Sequence, residues 1–278
     1  MVLVRHFFRQ LLDGGLPWLA RAVHNRIIPE RLALTPLALA AVAGRHGLEI
    51  GGPSRVFARR KLLPVYAHAA RIDNVNFSDR TAWETGLRDG GDFHFQSGCA
   101  PGTQWICEAT SLAGLADGSF DFVLSSHCLE HLANPLAALR EWHRVTREGG
   151  HLLLLVPDPA NSFDHRRPRT TLAHLRADAA NHVREDDQTH VAEILALHDL
   201  ARDPYAGTRA QFEERSRHNT QNRCLHHHVF DLDLLQAALA DTGWTVLGAT
   251  RARPVHLVAL ARRKSNREMA SPEASACA

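Results

Sequence analysis

Phe120-Asp-Phe-Val-Leu-Ser-Ser126 is an apolar run that closes on two serines, and His127-Cys-Leu-Glu-His-Leu-Ala-Asn-Pro135 follows it directly. Residues 134–146 then carry apolar side chains at helical spacing, with a proline near the start and two glycines beyond the end. His151-Leu-Leu-Leu-Leu-Val156 is an unbroken apolar run, which is typical of a strand covered on both faces. A strand, a helix and a second buried strand predict parallel pairing through a right-handed crossover.

Further short apolar runs lie on both sides of this unit. Those before it are predicted as strands at His46–Ile50, Ala69–Asp73 and Gln104–Glu108. A helix over 231–241 and two strands, Trp244–Leu247 and Val255–Leu260, are predicted after it. The last two strands have no helix between them, which predicts an antiparallel hairpin. The predicted fold class is therefore α/β, a Rossmann-like and mostly parallel sheet with helices on both faces.

The sequence predicts one main domain with attached segments. Residues 1–44 are predicted as a helical segment that packs on the main domain, which spans 45–262. Within it, residues 158–228 are polar and too long for a plain connection, so we expect a partly helical lid. Residues 263–278 are polar and rich in small side chains, and we expect a disordered tail.

The composition excludes several classes of function. The 278 residues hold 32 Lys+Arg against 30 Asp+Glu, a net charge of +2, which is too balanced for a nucleic-acid-binding protein. Five scattered cysteines without a CxxC pair argue against a disulfide framework and favour the cytoplasm. No apolar run reaches the roughly 18 residues of a membrane span, so no stable membrane insertion is expected. The oligomeric state stays open.

A glycine turn closes the first predicted strand, in the run Glu49-Ile-Gly51-Gly52-Pro53. In an open parallel sheet, ligands bind beyond the carboxyl ends of the strands. Glycine there lets a ligand approach the backbone closely, and the carboxylate of Glu49 can accept a hydrogen bond or offset a cation. A plain strand-to-helix turn would use the same residue types. We expect Glu49, Gly51, Gly52 and Pro53 to contact a cofactor.

Polar residues at the ends of the next two predicted strands suit a nucleoside. Asp73 lies about twenty residues beyond the glycine turn, where an acid can hold a ribose diol, and Asn74 is a neighbouring candidate. Glu108 and Thr110 could bond an adenine amino group, and the small Ala109 would leave space for the ring. Each of these residues would also suit an ordinary surface loop.

Histidines supply the candidates for catalysis. Ser126 and His127 end the fourth predicted strand beside the first, so both can contact a cofactor, and His127 could act as a base with a near-neutral pKa. His165 and His226 lie in the predicted lid, on the side where an acceptor would bind. His127, His165 and His226 are therefore the residues for which we predict a catalytic role.

These stretches resemble class I S-adenosylmethionine-dependent methyltransferases of the small-molecule "type 11" group. The resemblance covers residues 45–160 and 225–262 and is most specific over 120–157. It implies a seven-stranded sheet of order 3-2-1-4-5-7-6 and S-adenosylmethionine as cofactor, with contacts at Glu49, Gly51, Asp73, Glu108, Ala109 and His127. One departure is that Pro53 and Arg55 replace two glycines of the family's turn, and Pro53 has no amide hydrogen to offer.

The resemblance implies methyl transfer to a small-molecule or saccharide-type acceptor. The alternative is a Rossmann-like binding module that has lost methyl transfer, which Pro53 and Arg55 motivate. A nicotinamide oxidoreductase would need Gly-x-Gly-x-x-Gly after the first strand, and the chain has none there.

No metal site is predicted. The four evenly spaced histidines His174, His182, His190 and His198 would not share one face of a continuous helix, because eight residues leave an offset of about 80°.

Overall fold

The apolar runs of the sequence form the strands of a single sheet in the computed structural model, which describes residues 30–264. The strands are β1 (His46–Ile50), β2 (Arg71–Asn76), β3 (Asp92–Phe93), β4 (Gly102–Ile106), β5 (Phe120–Ser126), β6 (Thr146–Pro157), β7 (Trp244–Ala252) and β8 (His256–Arg263). The helices are α1 (Thr35–Val42), α2 (Pro135–Val145), α3 (Leu172–Ala180), α4 (Val191–Leu197), α5 (Arg209–Arg217), α6 (Asn219–Asn222) and α7 (Leu232–Asp241).

The strand order is β3-β4-β2-β1-β5-β6-β8-β7. Strand β1 pairs in parallel with β2 and β5, β2 with β4, and β5 with β6. Strand β8 lies antiparallel between β6 and β7, as the predicted hairpin requires. The seven predicted strands therefore occur in the order 3-2-1-4-5-7-6, and the two-residue β3 adds an eighth strand at the edge. The chain reverses direction across the sheet between β1 and β5, where α/β proteins bind ligands.

Helix α2 shows how local sequence fixes the crossover between β5 and β6. The side chain of Asn134 caps it by accepting a hydrogen bond from the amide of Ala137 at 3.1 Å, and Pro135 occupies the first turn. The buried face carries Trp142, whose indole N–H donates to the carbonyl oxygen of Ala109 at 3.0 Å. This bond ties the helix to the loop beyond β4.

The segment after β1 differs from the expected alternation of strands and helices. Residues 51–70 form only two 3₁₀ turns, Arg55–Phe57 and Val65–Ala67. Pro64 lacks an amide donor and disfavours helical backbone at the residue before it. Phe57 and other buried side chains of this segment instead pack with α1 against one face of the sheet, while α2 and α7 cover the other.

The predicted lid carries four short helices, α3 to α6. Ile194, Ala206, Phe212 and Leu225 form a small apolar cluster within it, separate from the two clusters on the faces of the sheet. Of the predicted N-terminal helices, α1 is described, whereas any in residues 1–29 lie outside the described residues, as does the tail from 265 onward. Within residues 30–264, no helix has the length and apolar character to cross a membrane.

Strand β2 ends three residues later than predicted, at Asn76 rather than Asp73. The polar side chains of Asn74 and Asn76 concealed the strand in the sequence, although both are buried. Asn74 donates from Nδ2 to Oε1 of Gln104 in β4 at 2.9 Å, so the strand carries a polar cross-strand bond within the sheet. This difference in where β2 ends changes which residue faces the site.

Candidate active site

A cleft of about 430 Å³ opens at the carboxyl ends of β1, β2, β4 and β5. Three groups of residues line it: the glycine turn after β1, the ends of β2 and β4, and a wall rich in histidine after β5. The lining residues that the following argument uses are Gly51, Gly52, Pro53, Asn76, Trp83, Glu108, Ala109, Ser126, His127, Glu130, His131, Arg223, His226 and His256.

The glycine turn has no free backbone donor, because each of its amides already has a partner. The amide of Gly51, at a φ of +78°, donates to Val75, and that of Gly52 donates to Oδ1 of Asn74 at 2.9 Å. Pro53 has no N–H, and the amide of Ser54 donates to the side chains beneath the turn. The turn therefore shapes one wall of the cleft without offering amides to an anion.

Glu49 supports this turn from below and does not line the cleft. Its side chain is fully buried and accepts hydrogen bonds from the amide of Ser54 at 3.0 Å and the hydroxyl of Tyr66 at 2.6 Å. Burial raises the pKa of Glu49 to about 7. The prediction that Glu49 contacts a cofactor gives way to a supporting role, because the carboxylate points beneath the turn.

Gly52 is required by this same packing. A Cβ at Gly52 would lie 2.4 Å from Cδ of Glu49 and 2.5 Å from its Oε2. Real Cβ atoms do not approach other atoms so closely, so any side chain here would displace the buried carboxylate. Glu49 and Gly52 are therefore matched, and both keep the turn thin.

Asp73 lies away from the cleft, within β2 rather than at its end. Its carboxylate accepts hydrogen bonds from Nε of Arg71 at 2.8 Å and the amide of Thr103 at 2.9 Å, and His46 lies 3.3 Å away. Burial opposes ionisation, but these partners outweigh it and lower the pKa of Asp73. Asn76 lines the cleft where Asp73 was expected.

Asn74, the neighbouring candidate, is buried beneath the glycine turn. Its side chain holds the amide of Gly52 at 2.9 Å and the carbonyl oxygen of Gly52 at 3.2 Å. Asn74 therefore fixes the position of the turn and does not line the cleft itself.

The end of β4 brings the predicted adenine-side residues to the cleft, with one exception. Glu108 and Ala109 line it, whereas Thr110 does not. Glu108 accepts a hydrogen bond from Nη2 of Arg223 at 2.7 Å, and Nη1 of Arg223 lies 2.7 Å from Oε2 of Glu185. The guanidinium of Arg223 thus joins the lid to the rim of the cleft, a contact that the sequence did not predict.

Ser126 and His127 line the cleft at the end of β5, as predicted. His127 has a φ of +54°, a left-handed conformation that is uncommon for a residue other than glycine. Its Nε2 lies 2.7 Å from Nδ1 of His256 in β8. Burial, reinforced by His256 and His226, lowers the pKa of His127 to about 3, so the expectation of a near-neutral base is wrong.

Glu130 is the unexpected residue of the histidine-rich wall. It is 1% exposed, and within residues 30–264 neither of its carboxylate oxygens has a hydrogen-bond partner. Its Oε1 lies 3.6 Å from Nδ1 of His127, 3.9 Å from Nε2 of His131 and 3.9 Å from Nε2 of His226. Burial raises the pKa of Glu130 to about 7. The run His-Cys-Leu-Glu-His places this carboxylate directly after β5, but the sequence did not single it out.

His226 lines the cleft as predicted, held by groups from elsewhere in the lid. Its Nδ1 lies 2.6 Å from Oδ2 of Asp164, and Arg167 in turn donates to Oδ1 of Asp164 at 3.0 Å. Burial disfavours the imidazolium, but Asp164 outweighs it and raises the pKa of His226 above 6.5. The ring of His226, whose imidazolium form is favoured by Asp164, faces the carboxylate of Glu130.

His165 does not line the cleft, in contrast to its predicted acceptor-side role. Its Nε2 lies 2.9 Å from Oδ2 of Asp199, in the lid. The sequence placed it just after the fifth strand, but the turns that follow Pro157 carry its side chain to Asp199. His165 thus makes a contact within the lid and not with the cleft.

Trp83 lies on the rim of the cleft, beside His131 of this wall. It is 64% exposed, although its ring packs edge-on against His131 at 5.8 Å between centroids. The chain around it folds back on itself through a bridge between Arg80 and Thr85. An exposed indole at the mouth of a cleft offers a flat apolar surface to a ligand.

The cleft fits a nucleoside cofactor without phosphates better than a dinucleotide. A dinucleotide needs free amides and a helix N-terminus for its pyrophosphate, and the turn after β1 supplies neither. S-adenosylmethionine has no phosphate and is compatible with the thin glycine turn. Asn76, Ala109 and His127 line the cleft around that turn and are the residues available to hold it.

Comparisons with known proteins agree with this assessment. A protein-family profile described as a methyltransferase domain matches residues 65–154. Malonyl-[acyl-carrier protein] O-methyltransferase of Laribacter hongkongensis (strain HLHK9) is 35% identical over 95 residues, which cover 34% of this chain and 28% of that protein. The match thus spans less than a third of the relative's length.

Two solved structures match this chain at low identity. An S-adenosylmethionine-dependent methyltransferase from Mesorhizobium loti is 17% identical with a TM-score of 0.47, covering 91% of this chain and 100% of that one. The 1,6-didemethyltoxoflavin-N1-methyltransferase of Burkholderia thailandensis is 15% identical with a TM-score of 0.43, covering 95% and 88%. Both TM-scores lie below 0.5, so the fold assignment stands on the strand order and the family match. The profile match over residues 65–154 and the strand order are both those expected of class I S-adenosylmethionine-dependent methyltransferases.

Proposed function

We propose that this chain transfers a methyl group from S-adenosylmethionine to a small-molecule acceptor bound in the cleft. The observation that carries the proposal is the pairing of two unlike walls in one cleft. One wall is the thin turn at Gly51 and Gly52, and the other holds the buried carboxylate of Glu130, which has no hydrogen-bond partner in the described chain. The first wall allows a cofactor to approach the backbone closely. The carboxylate of the second wall can take up a proton from an acceptor.

The donor side is assigned to the ends of β1, β2 and β4. Gly51 and Gly52 allow close approach, Asn76 offers an amide to a ribose hydroxyl, and Ala109 leaves space for a flat ring. S-adenosylmethionine, when bound, supplies a methyl group already activated by its sulfonium sulfur. The chain's own residues therefore have to align the acceptor, exclude water and remove its proton.

The acceptor side is assigned to Glu130 and the rings around it. The carboxylate of Glu130 accepts the proton, and its raised pKa of about 7 suits a group that must take up a proton near neutral pH. The ring of His226 faces this carboxylate, and the Asp164 carboxylate raises the pKa of His226, which favours the imidazolium that stabilises ionised Glu130. His127 is neutral and acts as a hydrogen-bonding group at the end of β5.

An oxygen acceptor fits this wall best. A buried carboxylate can take the proton of a hydroxyl group as that oxygen attacks a methyl group. The Laribacter hongkongensis relative is likewise named as an O-methyltransferase. We therefore place the acceptor among small hydroxylated compounds, saccharides included.

A binding module without catalysis is the second candidate, because the glycine turn has no free amide for the cofactor's carboxylate. The two candidates differ in one assay, the transfer of label from methyl-labelled S-adenosylmethionine to pools of low-molecular-weight saccharides and hydroxy acids. Label that enters an acceptor with the wild-type chain and is lost with Glu130→Gln supports the enzyme. Tight binding of S-adenosylhomocysteine without transfer to any pool would favour the binding module.

A further inference from the structure

A second cluster of histidines lies in the lid, outside the cleft. It contains His174 in α3, His190 immediately before α4, and His228 in the segment between α6 and α7. One ring nitrogen of each lies within 4.8 Å of the other two. Asp178, one helical turn after His174, adds a carboxylate whose Oδ2 lies 3.3 Å from Nε2 of His174 and 3.7 Å from Nε2 of His228.

We propose that His174, His190 and His228, with Asp178, bind a divalent transition-metal ion, most suitably Zn²⁺. The proposal does not depend on methyl transfer. Imidazole nitrogens with a carboxylate are a typical ligand set for zinc, and the four side chains come from three segments of the lid.

The distance between two of the ligand nitrogens and the separations of the three rings are close to those of a tetrahedral site. Zinc–nitrogen bonds of about 2.0–2.1 Å place the donor atoms of a tetrahedral site about 3.3 Å apart and the imidazole centroids about 5 Å apart. Nε2 of His174 lies 3.1 Å from Nε2 of His190. The centroids of the three rings are 5.0, 5.6 and 5.3 Å apart, a nearly equilateral triangle.

Hydrogen bonding alone leaves this cluster incomplete. Among the described residues, Oδ2 of Asp178 and Nδ1 of His228 are buried without a hydrogen-bond partner. Such groups cost about 1–3 kcal/mol each when unpaired. Nε2 of His228 lies 3.2 Å from the carbonyl oxygen of Ala133, which assigns the proton to Nε2 and leaves a lone pair on Nδ1. A ligand histidine whose other nitrogen donates to a carbonyl is the usual arrangement at metal sites.

The site would join three segments of the lid that are distant in sequence. His190 follows His174 by sixteen positions in the sequence, and His228 follows His190 by 38. His226, which lines the cleft, lies two residues before His228. An ion bound here would link these three segments of the lid to one another. It would also fix the position of the segment that carries His226.

The other group of possible ligands, Glu130, His131 and His226, belongs to the cleft. Nε2 of His131 and Nε2 of His226 both lie 3.9 Å from Oε1 of Glu130, wider than a tetrahedral edge of about 3.3 Å. Glu130 therefore provides a control that separates the two clusters.

The test is the metal content of the purified full chain, followed by titration of the metal-free protein with Zn²⁺ alone. We expect one equivalent of zinc, and His174→Ala and His190→Ala should each weaken its binding by at least about 100-fold. His182→Asn is the matched control, because His182 is an exposed lid histidine with a φ of +51°, which asparagine tolerates. Both His182→Asn and Glu130→Gln should keep the zinc.

Substitution of Co²⁺ for Zn²⁺ gives a second readout that does not depend on the stability of one variant. Intense visible absorption bands are expected for tetrahedral Co²⁺ in the wild-type chain, and the conservative His190→Gln variant should lose them while retaining its circular dichroism spectrum. A wild-type chain that binds no zinc at micromolar concentration would overturn the proposal. So would zinc that survives His174→Ala and His190→Ala, or zinc that Glu130→Gln removes.

Discussion

Replacement of Gly52 by alanine tests the structural basis of the glycine turn. The new Cβ would lie 2.4 Å from Cδ and 2.5 Å from Oε2 of Glu49. Glu49 is fully buried, so displacement of its carboxylate breaks its hydrogen bonds with Tyr66 and Ser54. Two such bonds at about 1–3 kcal/mol each predict a loss of about 2–6 kcal/mol in the free energy of unfolding.

The contribution of Glu49 is isolated by a double-mutant cycle measured by urea unfolding. In a Glu49→Ala background the side chain that the new Cβ strikes is gone, so Gly52→Ala should then cost less than about 0.5 kcal/mol. The coupling energy should therefore account for most of the cost of the single variant. If Gly52→Ala costs the same with and without Glu49, the clash does not act through Glu49 and the account of the turn is wrong.

Further predictions concern the cofactor, pH and catalysis. Asn76→Ala should weaken S-adenosylhomocysteine binding by about 1–2 kcal/mol in calorimetry while Asp73→Ala leaves it unchanged, and the reverse result would return the ribose to Asp73. Folding raises the pKa of Glu49 from 4.5 to about 7, so its stabilising contribution is complete below pH 4.5 and is lost as the pH rises through 7. The unfolding free energy of Glu49→Gln relative to wild type should thus rise by about 3 kcal/mol across that window, and parallel curves would contradict the shift. Glu130→Gln should lower turnover by about 10²–10⁴-fold without loss of S-adenosylhomocysteine affinity, and full turnover would exclude Glu130 as the base. His165→Ala should change neither quantity, and a lower turnover would return His165 to the acceptor side.

Apolar patterning was sufficient to predict the central strands, whereas the order of the sheet came from the resemblance to class I methyltransferases. The runs at 120–126 and 151–156 are long and unbroken, so their burial between helices could be predicted from local sequence alone. Strand β2 was harder, because Asn74 and Asn76 are polar yet buried, and their partners lie in β4 and in the glycine turn. Because the sequence did not reveal that β2 continues to Asn76, the ribose contact was predicted at Asp73.

The histidines show the limit of reasoning along a single helix. The eight-residue spacing was a sound argument against one continuous helix, but the chain turns between α3 and α4. His174 and His190 therefore meet at 3.1 Å from different elements. Similarly, the role of Glu130 depends on His226, which lies almost a hundred residues away. Such contacts are set by tertiary packing and leave no periodic signal in the sequence.

The central claim is that the cleft above the glycine turn binds the methyl donor. A crystal structure of the chain soaked with S-adenosylhomocysteine tests it most directly. We predict ligand density in contact with Gly51, Gly52 and His127, with the open part of the cleft bordered by Glu130. A ligand bound elsewhere, or no binding at millimolar concentration, would contradict the claim.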